Sequence, residues 1–159
     1  MAVSPTGLLS TPIHLARVTV ASSATFQSWV GAATRPHALP YILPDSTESD
    51  DLPIAVVGFD ENFSRKMIAG GARHFFQSEG DLFLLFRDAI TEDDDVDAFY
   101  SFCNTVGAVV AEMEEFAGGA GYLAITNITL AEPPARAHED EAAGVGDFYE
   151  AIFTIEYGP

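Results

Sequence analysis

The chain has 159 residues, of which 24 are Asp or Glu and 7 are Lys or Arg, so its formal net charge is −17. This excess of acid argues against binding to nucleic-acid phosphates or to anionic lipid, because both need a basic surface. The hydrophobic fraction, 48%, is well above that of disordered chains and predicts a folded core. A single cysteine cannot form an internal disulfide.

The length fits one domain, and we predict a single domain over residues 1–159, with residues 1–10 as a mobile N-terminal arm. No apolar run reaches the roughly 18 residues of a membrane span. The first residues also lack the basic segment and the long apolar segment of a secretion signal. We therefore expect an acidic, soluble, intracellular domain without a membrane partner.

Two helices are predicted at the start of the chain. Thr11 followed by a proline is typical of a helix start, and it would turn Leu15 and Val18 inward. Ser23 is predicted to cap a second helix, which has apolar residues at helical spacing and ends at Gly31.

The middle of the chain alternates between predicted loops and strands. Residues 54–59 are predicted to form a buried strand and residues 60–71 a loop. Two further strands, 72–77 and 81–88, are separated by a short glycine-containing turn, which predicts a hairpin. Residues 82–86 are apolar on both faces, so we expect a central strand whose second face is covered by another element or another subunit.

A long helix is predicted over residues 92–117, with acids in its first turn, where the helix dipole favours them. Two strands follow, at 122–130 and 148–157, and the polar loop 131–146 between them is long enough to suggest a functional or disordered segment. The predicted inward stripe of the helix is Val96, Phe99, Cys103, Val106, Val110 and Met113, widened by Phe102, Val109 and Phe116.

This order of elements predicts an α+β fold: a mainly antiparallel sheet with one long and one or two shorter helices packed on a face. Cys103 is predicted to be buried on the apolar side of the long helix, where a thiol acts as a small hydrophobic group.

The sequence offers no catalytic constellation. The acids at 93, 95 and 97 imitate the start of a calcium loop, but Ala98 and Asn104 stand where such a loop needs glycine and glutamate. The cluster at 138–141 has no ordered ligand spacing. No serine lies in a nucleophile-elbow motif, and no glycine-rich stretch has nucleotide-binding spacing. We therefore predict a protein that is not an enzyme and that needs no cofactor and no metal.

The arrangement of the chain resembles a family of virion proteins. Residues 24–31 (ATFQSWVG) are similar to the early helix of small proteins from the head–tail modules of long-tailed bacteriophages. The strand 82–88, the acidic-capped helix through 112–115, the stretch 121–125 and the terminal strand ending at 155–158 continue the likeness. The element order is similar to that of tail-terminator, or tail-completion, proteins over roughly residues 20–158.

This resemblance implies a structural virion protein of the phage neck and tail, assembled in the host cytoplasm. Such proteins form a ring, usually a homohexamer, that caps the tail tube and joins it to the head. The implied partners are further copies of the chain, the tail tube protein and a head-side connector. An acidic lumen would let DNA pass without binding. The candidate lumen or interface acids are Asp45, Glu48, Asp50, Asp51, Glu92, Asp93, Asp94, Asp95, Glu139, Asp140 and Glu141.

Three alternatives stay open. The first is another head–tail connector or a tube protein of the same module; a tube protein would stack into long tubes. The second is a small acidic ligand-binding domain or enzyme whose site forms only in three dimensions, and this reading requires a deep pocket with convergent polar groups. The third is an anti-nuclease or DNA mimic, which would bind a DNA-binding enzyme tightly. We expect the loops 44–51 and 131–146 to carry assembly contacts in the virion reading.

Overall fold

A computed structural model describes residues 10–31, 52–59, 64–70, 73–79, 82–90, 96–116, 119–120, 123–137 and 147–158. The helices are α1 (Ser10–Ser22), α2 (Ala24–Val30) and α3 (Val96–Glu115), and the strands are β1 (Ile54–Phe59), β2 (Ser64–Gly70), β3 (Arg73–Glu79), β4 (Leu82–Ala89), β5 (Gly119–Ala120), β6 (Leu123–Ala137) and β7 (Phe148–Gly158).

Five of the strands form one antiparallel sheet in the order β1-β4-β7-β6-β5, while β2 and β3 form a separate two-stranded sheet. The predicted α+β fold class is confirmed, with one long and two shorter helices on one face of the larger sheet. Apolar side chains on alternate residues of the central strands meet these helices, as the two-residue period of a strand requires.

The core lies between that sheet face and the three helices. On β4, Leu84 and Phe86 are fully buried, and the register sets them opposite Phe153 and Ala151 of β7. The helices contribute Phe26 from α2 and Phe102 from α3, among others. On the last strand, β7, alternate residues from Tyr149 to Tyr157 are buried.

The second face of the sheet carries a smaller apolar cluster. Ile54 and Val56 are each 1% exposed and pack with Leu85, while Phe83 and Ile152 are partly buried against them. The position of β4 between β1 and β7 confirms the predicted central strand. Leu85 is only 8% exposed within the single chain, so the apolar second face of β4 does not require another subunit to cover it.

The first helix begins close to its predicted start, and the second has the predicted cap and end. α1 begins at Ser10, the last residue of the predicted arm, and residues 1–9 lie outside the described part of the chain. The inward prediction is right for Leu15, which is buried, and wrong for Val18, which is 40% exposed. Gly31 ends α2 with φ at 65°, a left-handed conformation in which glycine has no steric penalty.

The predicted hairpin of strands 72–77 and 81–88 is wrong. Instead, β3 pairs with β2, so residues 64–70 form a strand where a loop is expected, and β4 pairs with β1 and β7. A short glycine turn permits a hairpin but does not select it over pairing with an earlier strand. β3 contacts β7, so the small sheet lies beside the large one.

The inward stripe of α3 is narrower and rotated relative to its prediction. Phe102, Val106, Val109 and Met113 are buried at spacings of four, three and four. Phe99, Cys103 and Val110 lie at its partly buried margins, while Val96 is 57% and Phe116 39% exposed. The widening residues Phe102 and Val109 are therefore the centre of the contact face. Cys103 is only half-buried, contrary to prediction.

β6 is longer than predicted and continues to Ala137, so residues 131–137 belong to the sheet and not to a loop. The pairing with β7 shifts register at three places, and Pro133 and Pro134 lie at the last of them. Proline lacks the N–H that a ladder needs and is tolerated at bulges and edges. The bulge and the edge position explain how a polar segment with two prolines can still be a strand.

Candidate functional site

All eleven acids predicted to line a lumen or an interface lie outside the described residues, at 45–51, 92–95 and 139–141. Their role stays a prediction. Asp97, the last acid of the predicted helix start, is described, and it is exposed in the first turn of α3.

Within the described ranges, no three His, Cys, Asp or Glu side chains come close enough together to hold a metal ion. A search of those same residues also finds no helix long and apolar enough to cross a membrane.

An aspartate lies on the helix-facing side of the sheet. Asp88 follows Leu84 and Phe86 at strand spacing, and its Oδ2 accepts a hydrogen bond from Trp29 Nε1 at 3.2 Å. The indole also packs against Phe86 and Phe102, with ring centroids 6.2 and 6.1 Å apart. Burial raises the pKa of Asp88, and the bonds from Trp29 and the Ala89 N–H only partly oppose that rise.

We expect this aspartate to give the protein a distinctive pH dependence. A raised folded-state pKa means that the folded protein binds more protons than the unfolded chain, so the stability contributed by Asp88 falls as pH rises from its ordinary value of 3.8 upward. Asp88→Asn removes the titration but keeps an acceptor for Trp29. Urea unfolding between pH 3 and pH 7 should show wild type losing stability relative to Asp88→Asn. A wild type whose stability stays constant or rises with pH relative to Asp88→Asn would contradict this assignment.

A glutamate of α3 binds the beginning of α2. Glu112 Oε2 accepts hydrogen bonds from Ser23 Oγ at 2.7 Å and from the Thr25 N–H at 3.1 Å, and Oε1 accepts one from the Thr25 hydroxyl. The hydrogen bonds from the Thr25 and Ser23 hydroxyls lower the pKa of Glu112. A carboxylate at a helix N-terminus is also stabilised by the helix dipole. Glu112 therefore joins α2 to α3.

On the other face of the sheet, Arg87 of β4 forms an ion pair with Glu150 of β7, with Nε and Oε2 2.7 Å apart. The two residues are directly opposite in register, and the guanidinium lies 4.4 Å from the centre of the Phe148 ring. Arg136 forms a more exposed pair with Asp147. Both pairs hold adjacent strands together.

Two surface concavities involve described residues. The first, of about 280 Å³, lies between the end of α3 and β6, and the second, of about 450 Å³, is a shallow depression between α2 and α3. The first falls just below the roughly 300–1,000 Å³ of typical ligand sites, and the second is open to solvent. The first is lined by Met113, Glu114, Phe116, Ile125, Thr126, Asn127 and Ile128; the second by Ala24, Thr25, Ser28, Trp29 and Thr105.

β6 is an edge strand for most of its length. β5 pairs only with Leu123 and Ala124, and no other described strand lies on the outer side of residues 125–137. Thr126, Asn127, Thr129 and Leu130 have exposed side chains. An exposed edge offers a row of backbone donors and acceptors to another strand. This edge is the described feature most suited to assembly.

Sequence reasoning missed Asp88 and Glu112, although only Asp88 leaves a usable signal. Asp88 continues the alternation of Leu82, Leu84 and Phe86, which places it on the inward face. Glu112 lies 89 residues from Ser23 and has no local partner that would identify it.

No protein-family model matches this chain, and a search of curated proteins finds no relative with significant sequence similarity.

Proposed function

We propose that this chain is a structural virion protein, a tail terminator that forms a ring on the end of a phage tail tube and joins it to the head. The order of strand, long helix and two strands on which the resemblance rests is present as β4, α3, β6 and β7. The expected partners are further copies of the chain, the tube protein and a head-side connector.

The observation that carries this proposal is the open edge of β6. Residues 125–130 of this edge contain no charge and no proline, although the chain carries −17 overall. Isolated proteins usually protect such an edge with charges, prolines or bulges, because it invites pairing with another chain. An edge without charges or prolines, interrupted only by the register shift between Ile125 and Asn127, supports an assembly subunit over a domain that acts alone.

The net negative charge of the chain supports a ring through which DNA passes. A ring through which DNA passes must not hold the phosphates, and repulsion between carboxylates and phosphates lowers that affinity.

The opposite sheet edge, β1, offers no equivalent exposed surface, since all of its residues except Phe59 are buried. Growth therefore depends on a contact between β6 and some other element of the neighbour.

The ring itself is tested by electron microscopy and mass photometry of the full chain mixed with the tube protein of the same gene cluster. We expect one layer of several copies, six by the resemblance, at the end of each tube. A single copy per tube, or long tubes made of this chain alone, would contradict the terminator assignment. A portal and capsid gene upstream and a tube gene downstream would support it independently.

A charge placed on the edge should block assembly. We expect Thr129→Lys to abolish rings while leaving the thermal unfolding of the monomer nearly unchanged, because Thr129 is exposed and a charge on an edge strand opposes pairing. Ser28→Lys, which adds the same charge to an exposed position of α2, is the control and should still assemble. Rings from Thr129→Lys at the wild-type concentration would show that β6 is not an assembly surface.

A further inference from the structure

The open edge of β6 has two parts with different chemistry. Residues 131–137 contain Pro133, Pro134 and two of the register shifts, features that prevent another strand from pairing. Residues 125–130, with the sequence ITNITL, contain none of the prolines or charges and are rich in β-branched side chains. This six-residue window contains only the first register shift, between Ile125 and Asn127, and is therefore the part of the edge better able to accept a strand.

Carboxylates flank the window. Glu132 is exposed two residues after its end, and Glu156 of β7 is exposed beside it, with Oε2 accepting a hydrogen bond from Asn127 at 3.2 Å. Arg136, the basic residue that lies closest to the window along β6, is already paired with Asp147. A strand that binds here meets a negative surface and should carry basic residues.

The sheet formed by β2 and β3 has the complementary charge. Residues 64–79 contain Arg65, Lys66 and Arg73 against one acid, Glu79, a formal charge of +2 in a chain of −17. Each strand has seven residues, one more than the six of the window. A two-stranded sheet is marginally stable alone, so joining a larger sheet would stabilise it.

The pairing pattern indicates which strand is available. β3 is paired with β2 and also contacts β7 of its own chain. β2 pairs with β3 on one side, and no described strand lies on its other side. Two of the three basic residues of the small sheet, Arg65 and Lys66, belong to β2.

We propose that β2 of one copy pairs with residues 125–130 of β6 in the next copy and so extends the five-stranded sheet into the neighbour's small sheet. This inference rests on the proposed ring and names the contact that builds it. The contact joins unlike surfaces, so each copy offers one of each, and repetition closes a ring when the rotation allows. Main-chain hydrogen bonds supply affinity, and the positive charge of β2 opposite the negative charge of Glu132 and Glu156 favours this partner.

A charge-swap experiment tests the proposal with the full chain in the ring assay described above. The double variant Arg65→Glu/Lys66→Glu and the double variant Glu132→Lys/Glu156→Lys should each raise the concentration for half-assembly by about tenfold or more, since each sets like charges against each other. The quadruple variant, which restores opposite charges, should recover most of the assembly. Circular dichroism melting of each monomer checks that the variants are folded.

Other outcomes overturn the inference. Normal rings from Arg65→Glu/Lys66→Glu would mean that β6 pairs with something else, such as β6 of a second copy, and the ring proposal would stand without this contact. If that variant loses affinity for duplex DNA while its rings remain normal, the small sheet is a nucleic-acid surface. If the quadruple variant is folded but does not recover ring assembly, the charges do not face one another. Absence of rings from the wild-type chain would instead reject the proposed function.

Discussion

Replacing Phe86 with alanine should destabilise the protein by about 3–5 kcal/mol, the range for removal of a buried aromatic ring. Phe86 is fully buried on the central strand, and its ring lies 6.2 Å from that of Trp29 and 5.9 Å, edge-on, from that of Phe153. The cavity would therefore open where α2, β4 and β7 meet. Since domains are stable by only about 5–15 kcal/mol, urea unfolding should show a large fall in the midpoint.

Phe116→Ala is the matched control for this loss. The same ring is removed, but Phe116 is 39% exposed at the end of α3, so the expected loss is about 1 kcal/mol or less. If both variants unfold at the same urea concentration, Phe86 does not lie at the centre of the core. A change in the slope of the unfolding curve would mean that the denatured state has also changed.

Local signals in the sequence predict the parts of the fold that local physics determines. Ser23 has an oxygen that accepts the Phe26 N–H, and Gly31 adopts the left-handed conformation, so the limits of α2 follow from residue chemistry alone. The alternation of β7 likewise identifies its buried face. The double-sided apolar pattern of residues 82–86 correctly places β4 in the interior of the sheet, because only an inner strand buries both faces.

Pairing between distant strands is not determined locally. The turn before residue 82 suggested a hairpin, yet β4 pairs with β1 and β7, which are separated from it by many residues. A strand's partner depends on which edge is available after the rest of the sheet has formed. The same reason hides the Arg87–Glu150 pair, which is evident only when the register of β4 and β7 is known.

The limits of β6 illustrate how polar composition misleads. Residues 131–137 contain two prolines, Glu132 and Arg136, and so resemble a loop. An edge strand needs hydrogen bonds on one side only, and its bulges tolerate residues that a central strand excludes. The first shift, between Ile125 and Asn127, keeps Ile125 and Ile128 packed against the same core despite their odd spacing. Simple alternation cannot predict that arrangement.

Ser23→Ala should cost about 1–2 kcal/mol, near the upper part of the range for losing a helix N-cap. Ser23 is 2% exposed, and its Oγ accepts the Phe26 N–H at 2.9 Å while donating to Glu112 at 2.7 Å. Alanine removes the cap and one donor to the carboxylate together, so a buried N–H and a carboxylate both lose a partner. Chemical unfolding measures the loss.

Ser22→Ala is the control, because the exposed Ser22 hydroxyl only donates to the Thr19 carbonyl within α1, and its loss should cost less than about 0.5 kcal/mol. A pH series separates the two roles of Ser23. The pKa of Glu112 is lowered, so its stabilising contribution is present above its ordinary value of 4.5 and is lost as pH falls through the lowered value. Ser23→Ala should weaken this acid-side loss. If the variant and wild type lose stability in parallel below pH 4.5, Ser23 acts only as a cap and the link from α2 to α3 depends on Thr25.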